Sequence, residues 1–171
     1  MTFGTLPQGV SLYPLVLHAD DRGSLVELWR ASWPTGARPV QWNAARSAAN
    51  VLRGVHVHLT HADYLVVPMG RAVIGLRDLR GDATTVALVD LDGDAPEALV
   101  IPPGVAHGFS FTEPSMHCYA VDHEFDPADE LGCRFDDPAL GIPWPTTDVV
   151  LSERDRALPS LAAFMSAHGP L

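Results

Sequence analysis

The chain is 171 residues long, 47% of them hydrophobic, with a mean hydropathy of +0.09. That is enough to bury a core within one domain spanning 1–171, and no apolar run approaches the ~18 residues of a membrane span. The formal charge is −10 with no basic block, which argues against nucleic acid as a partner.

From the amino terminus, "MTFGTLPQGVSLYPLVLHADDRG" lacks a basic region followed by an apolar block, so no signal peptide and a cytoplasmic location are expected. Turn signals then recur about every 8–12 residues from Asp20 to Phe125, the spacing of a sandwich or barrel rather than of βαβ units. "YLVVPM" and "ALVIP" are short apolar runs that read as buried strands, and "RAVIGLRDLR" and "TTVALVDLDGD" are β-branched runs closed by turns. "SMHCYAVDHEFD" alternates, with His117, Tyr119 and Val121 on one face. "DDPALGIPWPTTD" reads as a loop pinned by its prolines. "SERDRALPSLAAFMSAHG" carries the helical signal at about 152–168: Ser152 caps its start, a Gly closes it, and Pro159 splits it into two short helices. Cys118 and Cys133 lack CxxC spacing and are expected to be buried structural thiols.

The densest chemistry lies in "RGVHVHLTHADYLVVPMG". His56 and His58, two apart, share one face of a strand; Asp63 follows a bend, and "IPPGVAHGF" supplies His107 downstream of a Pro-Gly turn. Two imidazoles, a carboxylate and a distant imidazole suit a divalent metal, and they equally suit acid–base work in a cavity. His61, outside this pattern, is expected on a loop surface.

The spacing resembles that of the cupin barrels: HxH, an acid, six residues and Gly, then PxG, two residues and His, here His56, His58, Asp63, Gly70, Pro102, Gly104 and His107. Aspartate replaces the more usual glutamate, and Phe111 stands where an asparagine often closes the second motif. A similarity covering residues 6 to about 158 is broader. "VLRGVH", "PPGVAHGF", "DDPALGIPWP" and "LSERD", in this order, resemble the dTDP-4-dehydrorhamnose 3,5-epimerase family. The resemblance implies an all-β, cupin-type jelly roll, dimeric through exchanged N-terminal strands. It also implies an enzyme that inverts C3, C5 or both in a nucleotide-linked 4-keto-6-deoxyhexose through an enolate, with no metal and no cofactor.

On that resemblance His56, paired with Asp155, is the base and Tyr119 the acid. Arg22, Glu27, Gln41, Asn43 and Arg53 bind the nucleotide, and His107, His58 and Asp63 lie near the sugar. Base and acid on opposite faces of the ring are what inverting a carbon beside a ketone needs, and a carboxylate on the far ring nitrogen fixes the imidazole tautomer. The chain departs from the family at one critical place. Asp63 stands where the family has a lysine at the enolate oxygen, and the chain contains no lysine: all eleven cationic residues other than histidine are arginine. Ser24–Leu25 and Glu124–Phe125 replace aromatic pairs, and His117 adds a polar group to the Tyr119 face. Two alternatives stay open: a metal-dependent cupin enzyme, an isomerase or dioxygenase using His56, His58, Asp63 and His107, and a non-catalytic sugar-binding cupin.

Overall fold

A computed structural model describes residues 2–81, 83–169 and 171. Two antiparallel sheets face each other as a jelly roll, in the all-β class that the strand spacing predicts. The first runs in the order β1 (Thr2–Gly4), β9 (Val86–Asp92), β8 (Arg71–Asp78), β11 (Val105–Phe111), β6 (Val51–Val57) and β13 (Leu131–Gly132). The second runs β2 (Ser11–Pro14), β10 (Glu97–Ile101), β7 (Asp63–Met69), β12 (Ser115–Val121) and β5 (Gln41–Ser47). A separate hairpin, β3 (Leu17–Asp20) with β4 (Gly23–Val26), stands apart from both sheets and is largely exposed.

The central strands read as continuous apolar runs because both of their faces are buried. From β7, Leu65 and Val67 enter the core between the sheets with Ile74, Leu76, Leu91, Leu99 and Phe111. Tyr64 and Val66, on the opposite face of the same strand, pack with Ala98 and Ala120 under Leu28, Trp29 and Ala37. The outer face of the first sheet is likewise covered. Val55, Val57, Leu79 and Ala106 lie against Cys133, Leu140, Leu161 and Phe164 of the C-terminal segment. Pro68 has no N–H for a ladder, and the register between β7 and β12 slips there, between Met116 and Cys118.

The C-terminal segment forms α1 (Glu153–Arg156) and α2 (Leu161–His168), each capped by a serine, Ser152 and Ser160, as expected on either side of Pro159. No helix among the described residues is long and apolar enough to cross a membrane. Cys118 and Cys133 are buried and free.

Candidate active site

Between the sheets, at the end where the histidines gather, lies a cavity of about 450 Å³. Its walls come from β6 and β11 on one side, from β5, β7 and β12 on the other, and from residues 150–155 at the rim.

Local backbone geometry brings Arg53 and His56 into that cavity together. Strand alternation would send residues three apart to opposite faces. His107 pairs with His56 and Phe109 with Arg53, so β6 holds one residue more than β11 across this interval. The extra residue is a β-bulge at Gly54, and it re-aims the strand. Gly54 has φ +113, and a Cβ there would lie 2.9 Å from both Gly108 Cα and the His107 carbonyl oxygen, so a side chain is excluded. Arg53 is held by Ser47 Oγ, which accepts from Nε at 3.0 Å, and by the Arg46 carbonyl, which accepts from Nη2 at 3.0 Å.

His56 meets Asp155 across 99 positions of sequence, Nε2 to Oδ1 at 2.9 Å. The meeting is built by main chain: Val150 bridges Val51 in parallel, and Leu52 N donates to the Val150 carbonyl at 3.0 Å. Ser152 then caps α1, its Oγ accepting from Asp155 N at 3.0 Å, which turns the carboxylate inward. Burial alone would raise the Asp155 pKa, but its hydrogen bonds to His56, the Ser152 side chain and the Gly54 main chain hold it below the usual carboxylate range. With a proton on Nε2 facing Asp155, Nδ1 is the basic nitrogen of His56.

Tyr119 lies on the opposite sheet, half-buried, its ring 5.9 Å from that of His117 and nearly parallel to it. Burial and the nearby carboxylates of Glu130 and Asp63 raise its pKa, so it is a protonated phenol at neutral pH. His117 is buried, with Nδ1 unpartnered, and burial together with the Arg53 charge pushes its pKa down to about 4. The unfolded chain therefore takes up a proton near the ordinary histidine value of 6.5 that the folded chain refuses until about 4. The protein should thus lose about 3 kcal/mol of stability on this account as pH falls across that window. His58, lowered to about 4 mainly by burial, adds the same sign. Urea unfolding of His117→Phe should show roughly half the wild-type slope between those pH values; an unchanged slope would contradict the assignment.

Asp63 is buried and ringed by imidazoles. His107 Nε2 lies 3.0 Å from Oδ2, His58 Nε2 3.6 Å from the same oxygen, and His61 Nε2 4.0 Å from Oδ1. His61 is 7% exposed, which overturns its expected surface position. The reason is Asp129, whose carboxylate accepts from Leu59 N, Thr60 N and Thr60 Oγ1 and faces His61 Nδ1 at 2.9 Å, folding the whole loop inward. Burial opposes the charged forms of both Asp63 and His107, but their mutual hydrogen bond wins, lowering the aspartate and raising the histidine.

Of the residues expected at a nucleotide site, Arg53 lines this cavity and four do not. Arg22 pairs with Asp20 at 2.5 Å on the exposed hairpin, and Glu27 pairs with Arg30. Gln41 Nε2 donates to Asn43 Oδ1 at 3.1 Å, and Gln41 Oε1 accepts from Phe125 N at 2.8 Å; neither side chain borders the cavity of its own chain.

Comparison with known proteins places the chain in a family. The profile of a family described as dTDP-4-dehydrorhamnose 3,5-epimerase fits residues 5–163. The chain belongs to the dTDP-4-dehydrorhamnose 3,5-epimerase family. It is 33% identical over 168 residues to the dTDP-4-dehydrorhamnose 3,5-epimerase of Streptomyces griseus, covering 91% of this chain and 84% of that one. It is 32% identical over 145 residues to the Bacillus subtilis spore coat polysaccharide biosynthesis protein SpsL, covering 81% and 96%. Among solved structures it resembles NovW, a 4-keto-6-deoxy sugar epimerase from the novobiocin gene cluster of Streptomyces spheroides, with TM-score 0.84 and 29% identity over 94% of this chain and 87% of that one. It resembles equally the Legionella pneumophila epimerase in complex with dTDP-4-keto-L-rhamnose, with TM-score 0.86 and 27% identity over 99% and 97%.

The cavity of this epimerase-family chain also holds residues that its motifs do not announce. Arg154, beside Asp155 in "LSERD", donates through Nη2 to Glu130 Oε2 and to the Glu130 carbonyl, each at 3.0 Å, and both residues line the cavity. Their signal in the sequence was only an adjacency, an arginine next to the aspartate that pairs with the base.

Proposed function

We propose that this epimerase-family chain acts as a single catalytic domain that inverts a carbon beside the ketone of a dTDP-linked 4-keto-6-deoxy sugar. The observation that carries this reading is the His56–Asp155 dyad on one wall, facing Tyr119 on the other. His56 Nδ1 takes the proton α to the ketone. The resulting imidazolium is stabilised by the carboxylate of Asp155, which the site keeps ionised. Tyr119 then delivers a proton to the opposite face of the enolate. Arg53 and Arg154 supply cationic donors for the diphosphate that the acidic chain otherwise lacks. The chain has no lysine to meet the enolate oxygen, so that charge is met at the Asp63 end of the cavity without an ammonium group.

The nucleotide contacts of Arg22, Glu27, Gln41 and Asn43 belong, on this reading, to a homodimer in which the exposed β3–β4 hairpin reaches a second copy. The exposed Val16 and Leu25 at the hairpin, and Val40 and Trp42 at the start of β5, fit an apolar contact with a second copy. Light scattering should give about twice 18.4 kDa. Two free buried thiols fit a reducing, cytoplasmic setting. Incubation with dTDP-4-keto-6-deoxyglucose in D₂O tests the activity. Deuterium should appear at C3, C5 or both, and its absence at both, with binding demonstrated, would leave the sugar-binding alternative.

A further inference from the structure

The side chains around Asp63 pose a problem of proton count. His58 Nδ1 faces the Asp129 carbonyl at 2.9 Å, His61 Nδ1 the Asp129 carboxylate at 2.9 Å, and His107 Nδ1 the Val105 carbonyl at 3.0 Å. All three partners are acceptors, so all three Nδ1 atoms carry hydrogen, and all three Nε2 atoms turn toward one carboxylate. A proton on His107 Nε2 satisfies Asp63 Oδ2. His61 Nε2 is then left buried with no partner, and His58 Nε2 sits at 3.6 Å, beyond hydrogen-bond reach. The inner ring has more lone pairs than protons.

From this geometry we infer that His58 Nε2, His107 Nε2 and Asp63 Oδ2 form a binding site for a divalent first-row transition metal, with His61 Nε2 beside it. The three donor atoms lie within 4.8 Å of one another, and all three residues are buried. Their separations from Oδ2, 3.0 and 3.6 Å, bracket the ~3.0–3.4 Å between neighbouring ligands when metal–ligand bonds are about 2.1 Å long. Outer hydrogen bonds from each Nδ1 to an oxygen fix the tautomer and aim Nε2 inward, which is the support metal-bound histidines need. Two imidazoles and a carboxylate favour Zn, Fe, Ni, Co or Mn over Mg or Ca.

His56 is not a ligand. Its Nε2 is committed to Asp155, so a metal at Asp63 leaves the base free, and the four-residue set read from the HxH motif is replaced by one without its first histidine. The bound ion would supply a Lewis acid beside the cavity in a chain that has no lysine. The site itself stands whether or not the chain turns over a keto sugar.

Untagged protein, purified without chelator or added metal, should carry about one transition-metal ion per chain by mass spectrometry. The chelator-stripped protein should rebind Zn(II) or Co(II) with that stoichiometry in calorimetry, and Co(II) should develop visible bands of nitrogen–oxygen coordination, a readout that needs no variant. His58→Ala and His107→Ala should weaken binding by roughly 100-fold or more, while His56→Ala stays within about threefold. Wild type that takes up no ion and leaves Co(II) with its aqueous spectrum overturns the site, and Asp63 is then held by a charged His107 alone. Equal loss of binding in His56→Ala also overturns it, because the motif's own ligand set would then hold the ion.

Discussion

His56→Ala should abolish solvent deuterium exchange into a dTDP-linked 4-keto-6-deoxy sugar, lowering the rate roughly 10³-fold, within the 10²–10⁴ that a positioned general base contributes. No other group among the described residues is arranged to replace it. Burial and the nearby Arg53 charge push His117 down to about 4 and make it a weak base, and His107 and His58 have their Nε2 atoms turned to Asp63. Asp155→Asn tests the dyad more finely. The amide keeps the packing but can present a donor to Nε2, favouring the tautomer with Nδ1–H and removing the counter-charge to the imidazolium. A loss of about 10²-fold is expected, with KM little altered because Asp155 makes its hydrogen bonds to protein groups. Exchange within threefold of wild type in either variant would show that the base lies elsewhere.

Tyr119→Phe should separate two events that the wild-type enzyme joins. Removal of the proton by His56 does not need the phenol, so deuterium should still enter the sugar at a rate within about tenfold of wild type. With no acid on the far face, His56 returns the label to the face it came from, and inversion should fall roughly 10²-fold or more. Mass spectrometry follows the label and NMR coupling constants follow the configuration, so one sample gives both numbers. Loss of both in parallel would make Tyr119 a binding or structural residue; loss of neither would place the acid on another group. The substitution is mild in volume and leaves the stack on His117 intact, so folding should survive.

Much of the fold was legible because its signals are local. The apolar run "YLVVPM" lies within β7 and "ALVI" within β10, and the Ser152 and Pro159 signals set the two short helices. What escaped was non-local or irregular. The hairpin of β3 and β4 has little apolar alternation because it packs against neither sheet. His61 looked like a loop residue because nothing near it in sequence announces Asp129, 68 positions away, which buries it. The juxtaposition of His56 with Asp155 came from family resemblance, since a 99-residue separation carries no spacing signal of its own. The absent lysine was visible at once. The imidazole ring around Asp63 was not, because it depends on which nitrogen of each histidine is already engaged by an oxygen of Asp129 or Val105.

The bulge at Gly54 has a consequence for substrate choice. Arg53 and His56 project from a single strand, so with the roles proposed for them the span between a bound anion and the atom that loses its proton is set by backbone rather than by a movable loop. The strand works as a ruler. A sugar whose acidic carbon lies nearer to its phosphate, or farther from it, can engage the arginine or the base but not both, and discrimination by length is then built into one strand of the barrel.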